Sequence, residues 1–453
     1  MDRVANRPSP ERYRIAVIGT GIAGLSAAWM LNGAHDVTVF EKESRIGGHC
    51  NTVEVPGPSG PVAVDTGFIV YNELNYPNLT ALFEHLGIAT EASDMSFAVS
   101  TDGGEFEYAG SLGGMLARQR NIISPRFWAM MGDVRRFYRD APGVLGRPEF
   151  KNVSLGEYLD REGYSEAFIH DHILPMGAAI WSTPVSLMRN YPLDSFVRFY
   201  ENHGLLKFWD RPAWRTVSGG SRTYVRRLTG SFAGSIRTGA RVREIRRYPG
   251  GVSVTDQSGE VQTFDRVLIA AHADQTLDML TDADATERRL LGAFRYARNV
   301  AVLHSDESLM PRRRGTWSSW NYIREGADRN GPVCVTYWMN RLQGVATEKP
   351  IFVTLNPIRP PRPDTVIDSF VYQHPIFDTA AWTAQKDLWV LQGERDTWFC
   401  GSYFGAGFHE DALQAGLAAA EHLGGVRRPW RVADESGRIY LGEGARCVDE
   451  AAA

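Results

Sequence analysis

The stretch "RIAVIGTGIAGLSAAWMLNGAHDVTVFEKE", residues 14–43, limits what this chain can fold into more than any other part of it. Ile15 to Ile18 reads as a short buried strand, and Gly19, Gly21 and Gly24 follow it as G-x-G-x-x-G. Ile22 and Ala23 then open a segment of helical composition, and a second strand, Val37 to Phe40, ends at Glu41 and Lys42. In this order the glycines permit a tight turn, close approach of backbone to a pyrophosphate, and close packing of helix on strand, while the helix N-terminus attracts the phosphates. An acid about 20 residues beyond the fingerprint is placed to accept ribose hydroxyls. The motif therefore predicts a Rossmann-like α/β domain with a dinucleotide site in which Glu41 binds ribose. It does not separate a nicotinamide from a flavin dinucleotide.

With 453 residues, the chain exceeds what one hydrophobic core usually organises, so two domains are expected. A net charge of -4 with 43% hydrophobic and 23% charged residues argues against a nucleic-acid partner and against a disordered chain. Cys50, Cys334, Cys400 and Cys447 are widely spaced and form no C-x-x-C, so neither a metal site nor a disulfide framework is expected. A reducing, cytoplasmic setting is the default, and no stretch approaches the roughly 20 apolar residues of a membrane span.

Two segments after Glu41 narrow the choice of dinucleotide. "KESRIGGHCNT" (42–52) carries Arg45, Gly47, Gly48 and His49, and "VAVDTGFIVYN" (62–72) carries Thr66, Gly67, Phe68, Ile69 and Tyr71. Adjacent glycines after an arginine let backbone approach a planar or anionic group closely. Here the sequence resembles the flavin amine oxidase and phytoene desaturase superfamily, in which an R-x-G-G segment follows the ribose acid and a D-x-G segment comes next. The resemblance implies FAD, held non-covalently. Arg45, Gly47, Gly48 and His49 would lie along its pyrophosphate and ribityl chain, and Thr66 to Val70 would pass its ring. It also implies that Val242 holds the adenine through its backbone and that Ala271 returns to the cofactor. Near the C-terminus "GFHEDALQAG" (407–416) is similar to the superfamily's closing pattern. That match implies flavin contacts from Gly401, Ser402, Phe408 and His409, with a helix from about Glu410 pointing its amides at the ring. Where relatives often have Asp for a ribityl hydroxyl, this chain has Ser402.

The implied fold is α/β: a Rossmann-like FAD-binding domain of the amine oxidase type with an inserted α+β substrate domain. The FAD domain is expected from 12–70, 215–290 and 396–425, the substrate domain from 71–214 and 291–395, and a tail from 426–453. Flavin enzymes of this kind take a hydride from a C–H bond, and the protein supplies orientation, electrostatics and sometimes a base. Amine oxidases of the superfamily usually carry a lysine in the region matched here by "ARNVAVLHSDE" (297–307), which has none.

The segments "AIWSTP", "SSWNYIR", "VTYWMNRLQ", "YQHPIFD" and "GFHED" together resemble a bacterial subgroup of predicted FAD-dependent oxidoreductases whose genes lie beside cyclopropane fatty acid synthase genes. This implies a lipid-like substrate, a fatty acyl chain with a methyl branch or cyclopropane ring, and an electron acceptor that is oxygen or another molecule. His409, His374 and Tyr71 are the candidate catalytic residues, and His203 is weighed beside them. An amine oxidase and a flavoprotein with a non-redox role, as an isomerase, or a purely structural role stay open as alternatives. A lipid substrate also suggests peripheral contact with an anionic membrane. "ARQRNIISPRFWAMMGDVRRFYRD" (117–140) is the expected contact, its Arg118, Arg120, Arg126, Arg135, Arg136 and Arg139 meeting headgroups while Phe127, Met130, Met131, Val134 and Phe137 enter the bilayer. The alternative is that this apolar face packs inside the substrate domain.

Overall fold

A computed structural model describes residues 12–110, 114–115, 119–181, 185–326 and 333–442. Cys447, Arg118 and residues 182–184 of "AIWSTP" lie outside the described residues. The chain divides into two compact units, one drawn from the described parts of Met1–Gly48, Val225–Ala293 and Ala384–Ala453, the other from His49–Tyr224 and Phe294–Thr383.

The first unit is built on a five-stranded parallel sheet of β1 (Arg14–Ile18), β2 (Asp36–Phe40), β10 (Ile236–Arg237), β14 (Arg266–Ile269) and β20 (Thr397–Phe399), in the order β10-β2-β1-β14-β20. Strands covered on both faces read as continuous apolar runs, and Ile15 to Ile18 and Leu268 to Ile269 are buried accordingly. Chain order reverses at β1, so the crevice beyond the carboxyl ends of β1 and its neighbours is where this topology takes a ligand. An antiparallel meander of β11 (Val242–Tyr248), β12 (Gly251–Asp256) and β13 (Val261–Phe264) fills the segment read as alternating strands with a Pro-Gly-Gly turn.

Two helices of this unit run side by side. A Cβ built on Gly416 would lie 2.3 Å from the carbonyl oxygen of Ala23, and one on Gly424 would lie 2.4 Å from Leu31. Eight residues of advance on one helix match eight on the other, so Ile22–Asn32 and His409–Gly424 point the same way. The second begins six residues further ahead of the crossing than the first, about 9 Å at 1.5 Å per residue. Both N-termini therefore open at the same end, and His35 Nε2 meets the Gly424 carbonyl at the other, 3.1 Å away.

The second unit carries a seven-stranded sheet ordered β19-β15-β18-β17-β16-β7-β8. Its strands are β7 (Phe97–Thr101), β8 (Phe106–Ala109), β15 (Arg295–His304), β16 (Trp320–Arg324), β17 (Val333–Trp338), β18 (Phe352–Leu355) and β19 (Val366–Ile376). A hairpin of β3 (Thr52–Gly57) and β4 (Gly60–Asp65) and a small sheet of β5 (Val70–Asn72), β6 (Thr90–Ser93) and β9 (Trp214–Val217) complete its strands among the described residues. Helices Pro125–Asp140, Leu174–Trp181 and Leu193–Asn202 supply an aromatic core.

The units divide at other points than the segments expected from sequence. Residues 49–70 go with the second unit, because Asn51 Nδ2 donates to Tyr372 Oη (3.0 Å), Thr66 Oγ1 lies 2.7 Å from the same hydroxyl, and the Asp65 amide donates to Gln343 Oε1 (2.8 Å). Residues 215–224 follow them through the pairing of β9 with β5 and β6. Residues 384–395 go with the first unit, where Gln392 exchanges two bonds with the backbone of Phe399.

Of the two readings of helix Pro125–Asp140, the structure takes the one in which the apolar face packs inside its domain and not the one in which it meets a bilayer. Phe127, Met130, Val134 and Phe137, the face of helix Pro125–Asp140 expected to enter a bilayer, are 0–2% exposed. Ser124 caps that helix by accepting from the Phe127 amide, and Pro125 fixes its first turn. The apolar face then packs on Tyr108, Tyr158, Tyr164 and Phe168. Burial against aromatic neighbours wins over membrane contact for this face.

Candidate functional site

Four strands of the parallel sheet end in predicted site residues. Gly19 follows β1, Glu41 follows β2, Ala270 and Ala271 follow β14, and Cys400, Gly401 and Ser402 follow β20. Backbone bonds hold them in line: the Gly19 amide donates to the Phe40 carbonyl (2.8 Å), that of Ala270 to Ile18 (2.8 Å) and that of Cys400 to Ile269 (3.1 Å). Gly24 closes helix onto strand, since a Cβ there would collide with the Gly19 carbonyl oxygen at 2.1 Å.

Gly21 is different. It caps helix Ile22–Asn32 at φ -63° and ψ 172°, a conformation any residue adopts, and a Cβ built on it meets nothing within 4 Å. Neither backbone nor packing in this chain requires glycine there, so the space above it is explained by a ligand that approaches the helix N-terminus. No side chain caps that end and its first turn carries no acid, which leaves its amides for an anion. Gly47 and Gly48 (φ 109° and 58°) adopt turns that L side chains rarely enter, and the Gly47 amide donates to Thr20. A Cβ on Gly48 would sit 3.0 Å from Gly21, so this loop lies directly against the glycine turn. Arg45 adds a charge, its Nη1 buried and without a hydrogen-bond partner in the protein. A buried guanidinium nitrogen left unpaired is costly, and an anionic ligand at this turn would satisfy it.

Glu41 is 7% exposed and already bonded: Oε2 accepts from the Thr20 amide (3.0 Å) and hydroxyl, and Oε1 from the Glu43 amide (2.9 Å). A carboxylate offers about four acceptor positions, so Glu41 can shape this turn and still accept from a ribose. Val242 starts β11 beside it, because the Ala240 amide donates to the Glu41 carbonyl. Lys42 is exposed. His409 and Phe408 stand at the start of the C-terminal helix, where Asp411 Oδ2 accepts from the Phe408 amide (2.7 Å) and is gripped in turn by Arg438. Gly19, Gly21, Ile22, Ala23, Gly24, Glu41, Arg45, Gly47, Gly48, Val242, Ala271, Gly401, Ser402, Phe408 and His409 thus all belong to the first unit. Uncapped amides, an open glycine, an unpaired guanidinium and an acid after β2 suit a dinucleotide of the FAD type.

Lys42 also belongs to the first unit; of the predicted residues in the second unit, His49, Thr66 and His374 come together around Tyr372. His49 stacks on Tyr372 (centroids 5.1 Å) and lies 5.2 Å from the ring of His374. Tyr372 Oη is 2.7 Å from Thr66 Oγ1, and Asn51 Nδ2 donates to both. Gly67 is glycine because a Cβ would strike the His49 carbonyl oxygen at 2.2 Å. Phe68 and Ile69 connect this turn to β5. Asn356 donates to Asn299 Oδ1 (2.7 Å), which turns the Asn299 amide nitrogen toward His374 Nδ1 (2.9 Å). Nδ1 therefore accepts, and His374 in its neutral form carries its proton on Nε2. Asn51, Asn299 and Tyr372 were missed in the sequence, although Tyr372 sits two residues before His374 on one strand and so shares its face.

Tyr71 stands elsewhere. It is 2% exposed, packs edge-on to Tyr76 and Phe83, and its hydroxyl donates to Thr90 at 3.4 Å, the surroundings of an anchoring side chain. His203 lies flat on Phe199, 3.8 Å between centroids, and its Nδ1 meets the Phe199 carbonyl. Asp65, the acid of the D-x-G segment, is fully buried, and burial raises its pKa while bonds from Thr52, Ser221 and Gln343 pull the other way. Cys50, Cys334 and Cys400 are buried, and Cys50 Sγ lies 2.6 Å from Tyr224 Oη. Among the described residues there is no group of three His, Cys, Asp or Glu able to hold a metal ion.

A family model described as flavin containing amine oxidoreductase matches residues 22–304, more than half of the chain. A zeta-carotene-forming phytoene desaturase of Myxococcus xanthus is 24% identical over 350 residues, covering 65% of this chain and 60% of the desaturase, less than two thirds of that relative's length. Among solved structures, a CLA-producing fatty acid isomerase from P. acnes is similar with a TM-score of 0.62 at 17% identity, covering 89% of this chain and 97% of that one. A cyclohexylamine oxidase from Brevibacterium oxydans is similar with a TM-score of 0.65 at 15% identity, covering 92% and 99%.

Proposed function

We propose, from the premise that this chain belongs to the flavin containing amine oxidoreductase family, that it removes hydrogen from the acyl chain of a lipid-like substrate. It is a flavin-containing oxidoreductase and its cofactor is FAD. Bound FAD supplies the two-electron acceptor for a hydride leaving a carbon–hydrogen bond. The observation that carries the reading is the convergence of the Gly21 turn, Arg45 and Glu41 with the ends of four parallel strands in one unit.

In the reading proposed, the amides at Gly21 and the Arg45 guanidinium bind the pyrophosphate, and Glu41 accepts from ribose. The C-terminal helix adds roughly half a positive charge at its start, which favours negative charge on a ligand there. His374, fixed by Asn299 as a neutral imidazole with its proton on Nε2, is the group best prepared to move a proton; His49 stands beside it.

An acyl chain is favoured over an amine by the face of β15 that meets Tyr372 and His374. Ala297 and Asn299 occupy it, and the strand holds no lysine. Support of a weaker kind comes from the proteins this chain resembles, one named for desaturation and one for a fatty acid. The shared fold with a fatty acid isomerase keeps a second reading, movement of a double bond without net oxidation. The acyl chain would come from an anionic membrane at the cytoplasmic face, and the final electron acceptor would be oxygen or another molecule. Acyl-chain analysis of cells with and without the gene tests the reading. A methyl-branched or cyclopropane chain should gain a double bond when the gene is present. A shifted double bond favours the isomerase, and an unchanged acyl profile overturns both.

A further inference from the structure

We infer that the second unit docks on an anionic lipid surface through two apolar tips carried at opposite ends of helix Pro125–Asp140. The inference stands apart from the flavin site and from the acyl substrate. The helix buries Phe127, Met130, Val134 and Phe137, so what it offers outward is a different set of side chains from the face expected in sequence. At its start Ile122, Ile123 and Trp128 project into solvent, Ile123 at 80% exposure and Trp128 at 57%. Trp128 Nε1 donates to the Ile122 carbonyl (2.8 Å), which holds this tip together. Near the other end, the ring of Phe208 packs 5.0 Å from Tyr138, and Trp209 beyond it is 82% exposed. Trp128 and Tyr138 are ten residues apart, about 15 Å along the axis.

Cations lie around and between these tips. Arg135 comes seven residues after Trp128 and so falls on the same stripe of the helix. Arg120, Arg135 and Lys207 are exposed and hold no ion pair among the described residues. Arg211 donates to the Lys207 carbonyl and braces the second tip. Of the acids nearby, Asp133 and Asp140 are paired with Arg136 and Arg139, and Asp210 stays on the tip itself. Exposed tryptophan and isoleucine on separate projections, with unpaired cations between them, fit a broad planar surface that is apolar beneath and anionic on top. A protein partner would instead be met by one continuous apolar patch. Arg136 is not part of this surface: it donates to the Glu162 and Gly163 carbonyls and lies over Tyr164, which makes it a brace.

The test is co-sedimentation of the full chain with vesicles of phosphatidylcholine alone and with phosphatidylglycerol. Wild type should pellet with the anionic vesicles only, and less as salt rises. Ile123→Ser with Trp209→Ser should lower the partition by on the order of ten-fold per side chain. Arg120→Ser, Arg135→Ser and Lys207→Ser together should lower it about five-fold per residue and flatten the salt dependence. Bound flavin and unfolding temperature report that each variant is folded. In the folded wild type, brominated lipid should quench tryptophan fluorescence, and less so in Trp209→Phe. Equal sedimentation of wild type and both variants overturns the inference, as does equal binding to uncharged vesicles. If the apolar variant instead loses a dimer formed in vesicle-free buffer, the occupant is a second copy and the lipid surface is wrong.

Discussion

Gly21 and Gly24 have the same residue type for different reasons. Gly24 answers to the fold, because a Cβ there strikes the Gly19 carbonyl, whereas Gly21 faces open space in an ordinary backbone conformation. In the flavin-free protein, replacing Gly21 with tryptophan should therefore leave the unfolding free energy within about 0.5 kcal/mol of wild type, the range of substitutions that disturb no packing. The same change should lower flavin affinity at least about ten-fold, some 1.4 kcal/mol. Equilibrium dialysis and urea unfolding read the two quantities separately, and wild-type flavin content in Gly21→Trp would remove this turn from the site. The glycines and Glu41 were legible because pyrophosphate binding imposes a fixed spacing on a local motif. The bonds from Thr20 and Glu43 to Glu41 were not, since they depend on how the next turn folds back. Asn299 was read only as the absence of a lysine; its bond to His374 joins residues 75 positions apart, which no local pattern reports.

At the scale of elements, the helix Pro125–Asp140 shows where periodicity stops being informative. Spacing alone gives an apolar stripe, and whether lipid or protein covers it depends on the aromatic side chains that other segments bring. Part of that cover is a π-turn, Ile169–Ile173, where Arg126 holds Asp171 by two bonds of 2.7 Å. The Tyr108 hydroxyl donates to the Asp171 carbonyl (2.8 Å), so His172 Nδ1 donates to Tyr108 Oη (2.9 Å) and Nε2 faces Tyr138. Burial, with a smaller push from Arg211, lowers the His172 pKa to about 4, and burial lowers that of His304 to about 4. An unfolded histidine titrates near 6.5, so between about 6.5 and 4 the unfolded chain binds more protons than the folded one. Stability is then full above about pH 6.5 and is lost as pH falls toward 4, by about 1.4 kcal/mol per pH unit for each histidine. Urea unfolding across this range should give a shallower slope for His172→Gln than for wild type. An identical slope would mean that His172 is not held neutral.

The whole molecule repeats the contrast between local and distant signals. The first unit announces itself in sequence because strand, glycine turn, helix and acid follow one another within thirty residues, and its last helix carries its own glycine pattern. The second unit is assembled from β7, β8 and β15 to β19, which lie far apart in the chain, and its strand order follows from pairings that no periodicity encodes. No helix among the described residues is long and apolar enough to cross a membrane. The most direct measurement of the central claim is anaerobic mixing of the FAD-loaded protein with phospholipid carrying methyl-branched or cyclopropane acyl chains, and separately with amines. Loss of the yellow flavin absorbance with the lipid and not with the amines is the predicted result; loss with an amine and none with any acyl lipid would contradict it.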